Sequence, residues 1–180
     1  MLFRSIGRED LARNRGVLFF SPVICLDIRM RIHIGSDHAG LEFKAKIIEH
    51  LKKQGHDVTD HGPHQFDPLD DYPVFCIPAA EAVAKDPGSF GIVLGGSGNG
   101  EQMAANKVRG IRAALVWSKE IAVLAREHNN ANVISLGGRM HSEEFCLELV
   151  DTFINTPFPG DERHVRRINL MAKYEETRKI

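Results

Sequence analysis

The sequence predicts an α/β fold: a three-layer α/β/α domain around a five-stranded parallel sheet. Two observations carry that reading. From Met30 onward, short apolar runs alternate with longer stretches of helical periodicity, the rhythm of βαβ units. The apolar runs are also short enough, and apolar enough, to be strands covered on both faces. A chain of 180 residues is long enough to bury a substantial core.

The first strand is expected at Met30–Ile34, running into the turn Gly35-Ser-Asp-His-Ala-Gly40. A helix over 41–54 follows. It has Leu41, Ala45 and Ile48 on one face, Ile47 and Leu51 beside them, and Gly55 at its end. Residues 57–60 read as the second strand. Residues 61–71, with their glycine, prolines, acids and histidines, read as a loop. The second helix covers Pro73–Lys85 and stops before Asp86-Pro87-Gly88. Phe90–Leu94 is the third strand. It meets Gly95-Gly-Ser-Gly-Asn-Gly100, where a helix begins that carries Glu101 to Lys107.

Ile111–Trp117 is the fourth strand. Ser118 is the N-cap of the next helix, whose stripe is Ile121, Leu124 and Ala125, with His128 next in line. Val133–Leu136 is the fifth strand. A helix opened by Ser142 runs through Ile154, with Cys146, Leu149, Val150 and Phe153 inward. Pro157 and Pro159 break the pattern before a last helix over about 161–178. Its apolar stripe is Val165, Ile168 and Ala172, with His164 and Arg166 as bystanders on neighbouring faces. The arrangement is Rossmann-like, and such sheets bind ligands beyond the carboxyl ends of their strands. The loops at 35–40, 95–100 and 137–141 gather there.

Composition narrows the function. The formal net charge of −1 lacks the basic excess of a nucleic-acid binder. No apolar run approaches the length that spans a bilayer, so no membrane partner is expected. Cys25, Cys76 and Cys146 are odd in number, far apart and outside any CxxC pair. That argues against a disulfide framework or a structural zinc site and for a reducing, cytoplasmic compartment. Residues 1–29 differ from the rest: arginines outnumber acids, and the apolar patch Val17–Leu26 is broken by Ser21 and Pro22. The patch is too short and interrupted for a targeting peptide. Residues 1–29 are expected to be a poorly ordered extension or a mis-assigned start ahead of Met30. Residues 30–180 then form a single domain with a C-terminal helix.

The glycine loop carries the strongest local signal. Gly95, Gly96, Gly98 and Gly100 after a buried strand can turn backbone N–H groups outward toward a phosphate, a carboxylate or an enolate oxygen. A P-loop would end in Gly-Lys-Ser/Thr, but Gly100 is followed by Glu101 and Gln102. A dinucleotide fingerprint would put glycine where Glu101 stands. That carboxylate would repel a polyphosphate. It suits a base that takes a proton from carbon while N–H groups hold the oxyanion. Alone, it fits better a first-turn carboxylate that complements the helix dipole.

The other candidates are weaker singly. Asp37-His38 ends the first strand and fits turn chemistry as well as proton transfer. His128, followed by Asn129 and Asn130, fits the edge of a core. His61 and His64 have no third ligand nearby, so no metal is expected. Arg139 follows Gly137-Gly138, and Arg163 and Arg167 share a helix face. Each is a guanidinium that matches phosphate oxygens and is also ordinary surface.

Together the motifs resemble the type B ribose-5-phosphate isomerases, within the sugar-phosphate isomerase family that also includes galactose-6-phosphate isomerase. The resemblance covers about residues 30–174. It rests on Gly35-Ser-Asp-His-Ala-Gly40, Asp71-Tyr-Pro73, the run from Gly95 to Lys107, Gly110-Ile-Arg-Ala-Ala114, Arg126-Glu-His-Asn-Asn130, Gly137-Gly-Arg139 and Arg163-His-Val-Arg-Arg167. It implies an aldose–ketose isomerase of the pentose phosphate pathway that interconverts ribose 5-phosphate and ribulose 5-phosphate through an enediolate, without metal or organic cofactor. One branch of the family uses a cysteine at the start of the glycine loop, where this chain has Gly95. The branch this chain is similar to uses a glutamate, here Glu101.

The resemblance further implies ring opening by His128 with Asp37, and proton transfer at carbon by Glu101, with Ser97 assisting. The amides of Gly96, Gly98, Asn99 and Gly100 would hold the enediolate, helped by Asn129. Tyr72 would line the sugar pocket, and His38, Arg139, Arg163 and Arg167 would grip the phosphate. The family works as a homodimer or dimer of dimers with shared sites. Three alternatives stay open: a six-carbon aldose phosphate as substrate, a non-catalytic nucleotide-binding module, and an interaction protein that has lost activity.

Overall fold

The computed structural model describes residues 29–180. The expectations for residues 1–28 and for Cys25 lie outside the described residues. In chain order the elements are β1 (Arg31–Ser36), α1 (Leu41–Lys53), β2 (Asp57–Asp60), α2 (Pro73–Lys85), β3 (Phe90–Gly95), α3 (Asn99–Ala105), β4 (Ala113–Leu115), α4 (Lys119–Asn129), β5 (Val133–Gly137), α5 (Glu143–Asn155) and α6 (Glu162–Thr177). The five strands form one sheet in the order β2-β1-β3-β5-β4, and every pair is parallel. The order reverses at β1: the chain goes outward to β2, then returns to set β3 on the other side. A crevice opens beyond the carboxyl ends of β1 and β3 at such a reversal.

Side-chain alternation along the strands sorts the core into two layers. Ile32, Ile34, Ile92, Leu94, Ile134 and Leu136 face α1, α4 and α5, where Ile47, Leu51, Ala122, Leu149 and Phe153 meet them. Val93 and Val133 face α2 and α3, against Cys76, Ala80, Val83 and Ala105. Burying an aliphatic side chain of this size contributes about 2 kcal/mol of transfer free energy. The strands are therefore held mainly by what covers them. The α2 side is built from small residues, and α2 rides close: a Cβ on Gly35 would strike the Phe75 carbonyl.

Several elements differ in detail from the sequence expectation. The buried face of α1 is Lys44, Ile47 and Leu51, while Ala45 is exposed. Apolar periodicity misplaces this face because one core position is a lysine. Lys44 Nζ donates to Asp60 Oδ1 at 2.7 Å and to the Pro63 carbonyl at 2.6 Å, and those partners make its burial tolerable. On α4 the buried residues are Ala122, Ala125 and Arg126, whereas Ile121, Leu124 and His128 are half-buried. The Arg126 guanidinium lies over the Phe90 ring and donates to the Thr156 and Ala131 carbonyls. β4 shrinks to Ala113–Leu115 because the Arg112 amide goes to the Asn132 side chain. α3 starts and ends two residues before the expected Glu101–Lys107. Both serine caps are present: Ser118 Oγ accepts from the Ile121 amide and Ser142 Oγ from the Phe145 amide.

On α6, which lies against α4, Ala172 is exposed and His164 is 3% exposed. His164 is thus no bystander. Its ring stacks on His128 with centroids 4.3 Å apart and planes 12° from parallel.

Candidate active site

Three loops at the carboxyl edge of the sheet build one cavity of about 510 Å³. Asp37, His38 and Ala39 follow β1, Gly96, Ser97, Gly100 and Glu101 follow β3, Arg139 and Met140 follow β5, and Tyr72 arrives from the start of α2. The volume falls in the range of small-molecule pockets.

The glycine loop is shaped around one carboxylate. Gly98 has φ +80, a left-handed turn that favours glycine, and its carbonyl accepts from Ser135 Oγ at 2.7 Å. That turn sends α3 back so that Glu101 points at the loop's own beginning. Glu101 is 4% exposed, and its carboxylate takes hydrogen bonds from the backbone N–H groups of Glu101 and Gly98. It fills the space where a Cβ on residue 95 would project, so Gly95 is required for it to lie there. Burial is the largest influence on this group and pushes its pKa up. The Asp37 charge pushes the same way, and the two amides oppose it.

Asp37 is also buried, and its Oδ1 accepts from the amides of Ala39 (2.9 Å) and Gly40 (3.2 Å), closing the turn into α1. The Tyr72 ring lies against Gly100. The glycine loop is tied to the β5 loop by Gly138 N–H to the Gly95 carbonyl (2.8 Å) and Arg139 N–H to the Gly96 carbonyl (3.1 Å). Those bonds hold Arg139 on the cavity wall.

Of the predicted site residues, Asp37, His38, Tyr72, Gly96, Ser97, Gly100, Glu101 and Arg139 line this cavity. Gly98 and Asn99 do not. The Gly98 amide serves the Glu101 carboxylate, and the Asn99 amide turns to Ser97 Oγ at 3.4 Å. His128, Asn129, Arg163 and Arg167 belong to α4 and α6 and also lie outside the lining. They include a second polar group: His128 stacks on His164, and Arg163 Nε donates to His164 Nε2 at 3.1 Å. His164 therefore carries its proton on Nδ1. Its pKa is lowered, first by burial and then by the His128 and Arg163 charges.

Sequence reasoning missed Asp70, which lay among unremarkable loop acids. Its Oδ1 accepts from the His38 backbone N–H at 3.1 Å and meets His38 Nδ1 at 2.6 Å. Asp37, His38 and Asp70 bring ligand-type atoms within 4.8 Å of one another, the geometry of a possible cation site. Asp37 Oδ1, His38 Nδ1 and Asp70 Oδ1 already have hydrogen-bond partners within the chain. His61 pairs with His33 at 3.1 Å, and His64 stands exposed beside Asp60. A separate cavity of about 310 Å³, at the amino end of β3, holds Arg109, Arg112 and Arg126. Arg112 and Arg126 there donate mainly to backbone carbonyls around the turn between α4 and β5. Among the described residues, no helix is long and apolar enough to cross a membrane.

Comparison with known proteins agrees with this geometry. The family model described as Ribose/Galactose Isomerase matches residues 32–171. Ribose-5-phosphate isomerase B of Mycobacterium tuberculosis is 58% identical over 148 residues, covering 82% of this chain and 91% of that protein. Galactose-6-phosphate isomerase subunit LacB of Clostridium acetobutylicum is 43% identical over 129 residues, 72% of this chain and 74% of that protein. The crystal structure of ribose-5-phosphate isomerase B from Mycoplasma genitalium, with bound ribulose-5-phosphate, superposes with a TM-score of 0.80 at 45% identity. It covers 82% of this chain and 97% of that one. The parallel five-stranded sheet fits these matches, and the family model together with relatives of high identity shows that the chain belongs to the ribose/galactose isomerase family.

Proposed function

We propose that the chain interconverts ribose 5-phosphate and ribulose 5-phosphate through an enediolate, with residues 30–180 as its isomerase domain. The observation that carries this reading is Glu101. It is a buried carboxylate of raised pKa, on the wall of a cavity shared with Gly96, Ser97, Gly100 and Arg139.

The sugar arrives as a ring. His128, with Asp37, moves a proton from the anomeric hydroxyl to the ring oxygen, and the ring opens. Glu101 takes the proton from C2, and the electrons flow onto the carbonyl oxygen at C1. Loop amides at Gly96 and Gly100 stabilise the resulting enediolate, and each well-placed donor is worth about 3 kcal/mol. Ser97 passes a proton from the C2 oxygen to the C1 oxygen. Glu101 then returns its proton to C1, giving the ketose. His38, Arg139, Arg163 and Arg167 hold the phosphate, which fixes C1 and C2 against Glu101. Every step is a proton transfer, so no metal or organic cofactor is required.

His128, Arg163 and Arg167 act in this scheme on a neighbouring chain's cavity. Two observations support a homodimer. Those residues lie away from their own chain's cavity, and the large apolar side chains of Phe66, Leu69, Val74, Met103, Trp117 and Met140 stand exposed, Met140 on the cavity wall itself. The buried, unpaired Cys76 and Cys146 suit a reducing, cytoplasmic setting.

A coupled assay over five- and six-carbon aldose phosphates tests the reading. Turnover is expected with ribose 5-phosphate and is expected to be unchanged by chelator. Turnover confined to a six-carbon phosphate would reassign the substrate. Stabilisation by nucleotide without turnover would replace the enzyme reading altogether. Site sharing has its own test. Glu101→Gln and His128→Asn chains, each inactive alone, are co-expressed. Half the dimers are then hybrids with one intact site each, so about a quarter of wild-type activity is expected. No recovery would mean that His128 serves its own chain.

A further inference from the structure

We propose that Asp70 is a positioning residue that orients the His38 imidazole so that Nε2 faces the sugar phosphate. This rests on the reading above, in which His38 is part of the phosphate grip.

Both contacts of Asp70 Oδ1 go to one residue: the His38 amide at 3.1 Å and Nδ1 at 2.6 Å. Oδ1 therefore fixes the backbone and the ring of His38 together. A carboxylate only accepts, so the proton between them belongs to Nδ1. The remaining ring nitrogen, Nε2, is left for the ligand, and it donates to a phosphate oxygen when it too carries a proton. Phe66 meets the ring edge-on, at 6.0 Å between centroids and 89° between planes, and limits its rotation from another side. The Asp70 side chain is 7% exposed, so the short contact is shielded from competing water. Histidines that grip an anion are commonly set by such a partner on the opposite nitrogen.

The segment that carries Asp70 also has fastenings that do not use this carboxylate. That segment is fastened at its start by Lys44 to the Pro63 carbonyl and by the Ser36 amide to the Gly62 carbonyl. Its local turn is closed by Asp67, whose Oδ1 accepts from the Leu69 amide at 2.9 Å. The hydrogen bonds of the Asp70 side chain go to His38 alone among the described residues. Loss of Asp70 should therefore act through His38.

The test is a double-mutant cycle with His38→Ala, Asp70→Ala and both together. Binding of inorganic phosphate is read by calorimetry, and KM and kcat for ribose 5-phosphate by assay. Each single change is expected to weaken phosphate and raise KM about tenfold, with kcat altered less than about threefold. The double variant should be no worse than the poorer single one, because the second change removes a partner already lost. Asp70→Asn keeps an accepting oxygen and should recover part of the loss. In the wild type, the 15N resonances of His38 should report a protonated Nδ1, and they should move in Asp70→Ala. Full additivity of the two losses, or undiminished phosphate binding in Asp70→Ala, would overturn the proposal. If Asp70→Ala does not fold, Asp70→Asn and the His38 resonances decide it: unshifted resonances count against it. If the wild type lacks isomerase activity, the phosphate cycle still reads Asp70 separately.

Discussion

Glu101→Gln should lose about a thousandfold or more in kcat, with KM for ribose 5-phosphate changed only a few-fold, because general-base catalysis is worth about 10²- to 10⁴-fold. Glutamine keeps the shape and can still accept from the Gly98 amide, so the pocket should survive. The same change should raise thermal stability at neutral pH. The sign follows from the raised pKa of Glu101, whose causes are burial first and the Asp37 charge next. An acid with a raised folded-state pKa holds its proton more tightly in the folded chain. Its contribution is most favourable below the ordinary glutamate range and is lost as pH rises through the folded value. At neutral pH the ionised carboxylate is thus a cost that glutamine removes. Calorimetric scans of both proteins at neutral pH and at pH 4 test this: the glutamine variant's advantage should shrink toward the acid end. Near-wild-type turnover would take Glu101 out of the base role. A melting temperature lower in the variant at neutral pH would contradict the sign.

Lys44→Ala should destabilise the chain by about 3 kcal/mol, read as a lower urea midpoint with an unchanged slope. The Lys44 side chain is 2% exposed, and its two partners sit on separate segments, Asp60 at the end of β2 and Pro63 in the following loop. Removing the ammonium leaves a carboxylate and a carbonyl facing a void. Asp60 limits the damage because it is 28% exposed and also accepts from the Gly62 amide at 2.9 Å. That places the expectation at the low end for broken buried pairs. Lys44→Met refills the volume without the charge and should lose less than alanine. A shift below about 1 kcal/mol in both would mean that the segment holds itself without this anchor.

The order and type of the elements were legible because each strand is a short apolar run and each helix an interrupted one. α2 has the expected bounds, Pro73–Lys85, since a proline opens it and Asp86-Pro87-Gly88 ends it. Helix faces were harder. Lys44 and Arg126 occupy core positions that a hydrophobic pattern assigns to apolar residues, and both do so through carbonyl partners distant in sequence. The cavity-lining half of the site was legible because loops at strand ends converge by topology. The grouping of His128 with His164 and Arg163 was not, because it depends on how α6 crosses α4. Asp70 escaped notice for the same reason: its partner His38 lies 32 residues away.

The crowding at Gly95 bears on how such a pocket changes hands over evolutionary time. The Glu101 carboxylate and any side chain at 95 claim the same few cubic ångströms. Any residue larger than glycine at 95 would have to displace the Glu101 side chain, so what position 95 accepts is decided six places further along the chain, and the two can change only together.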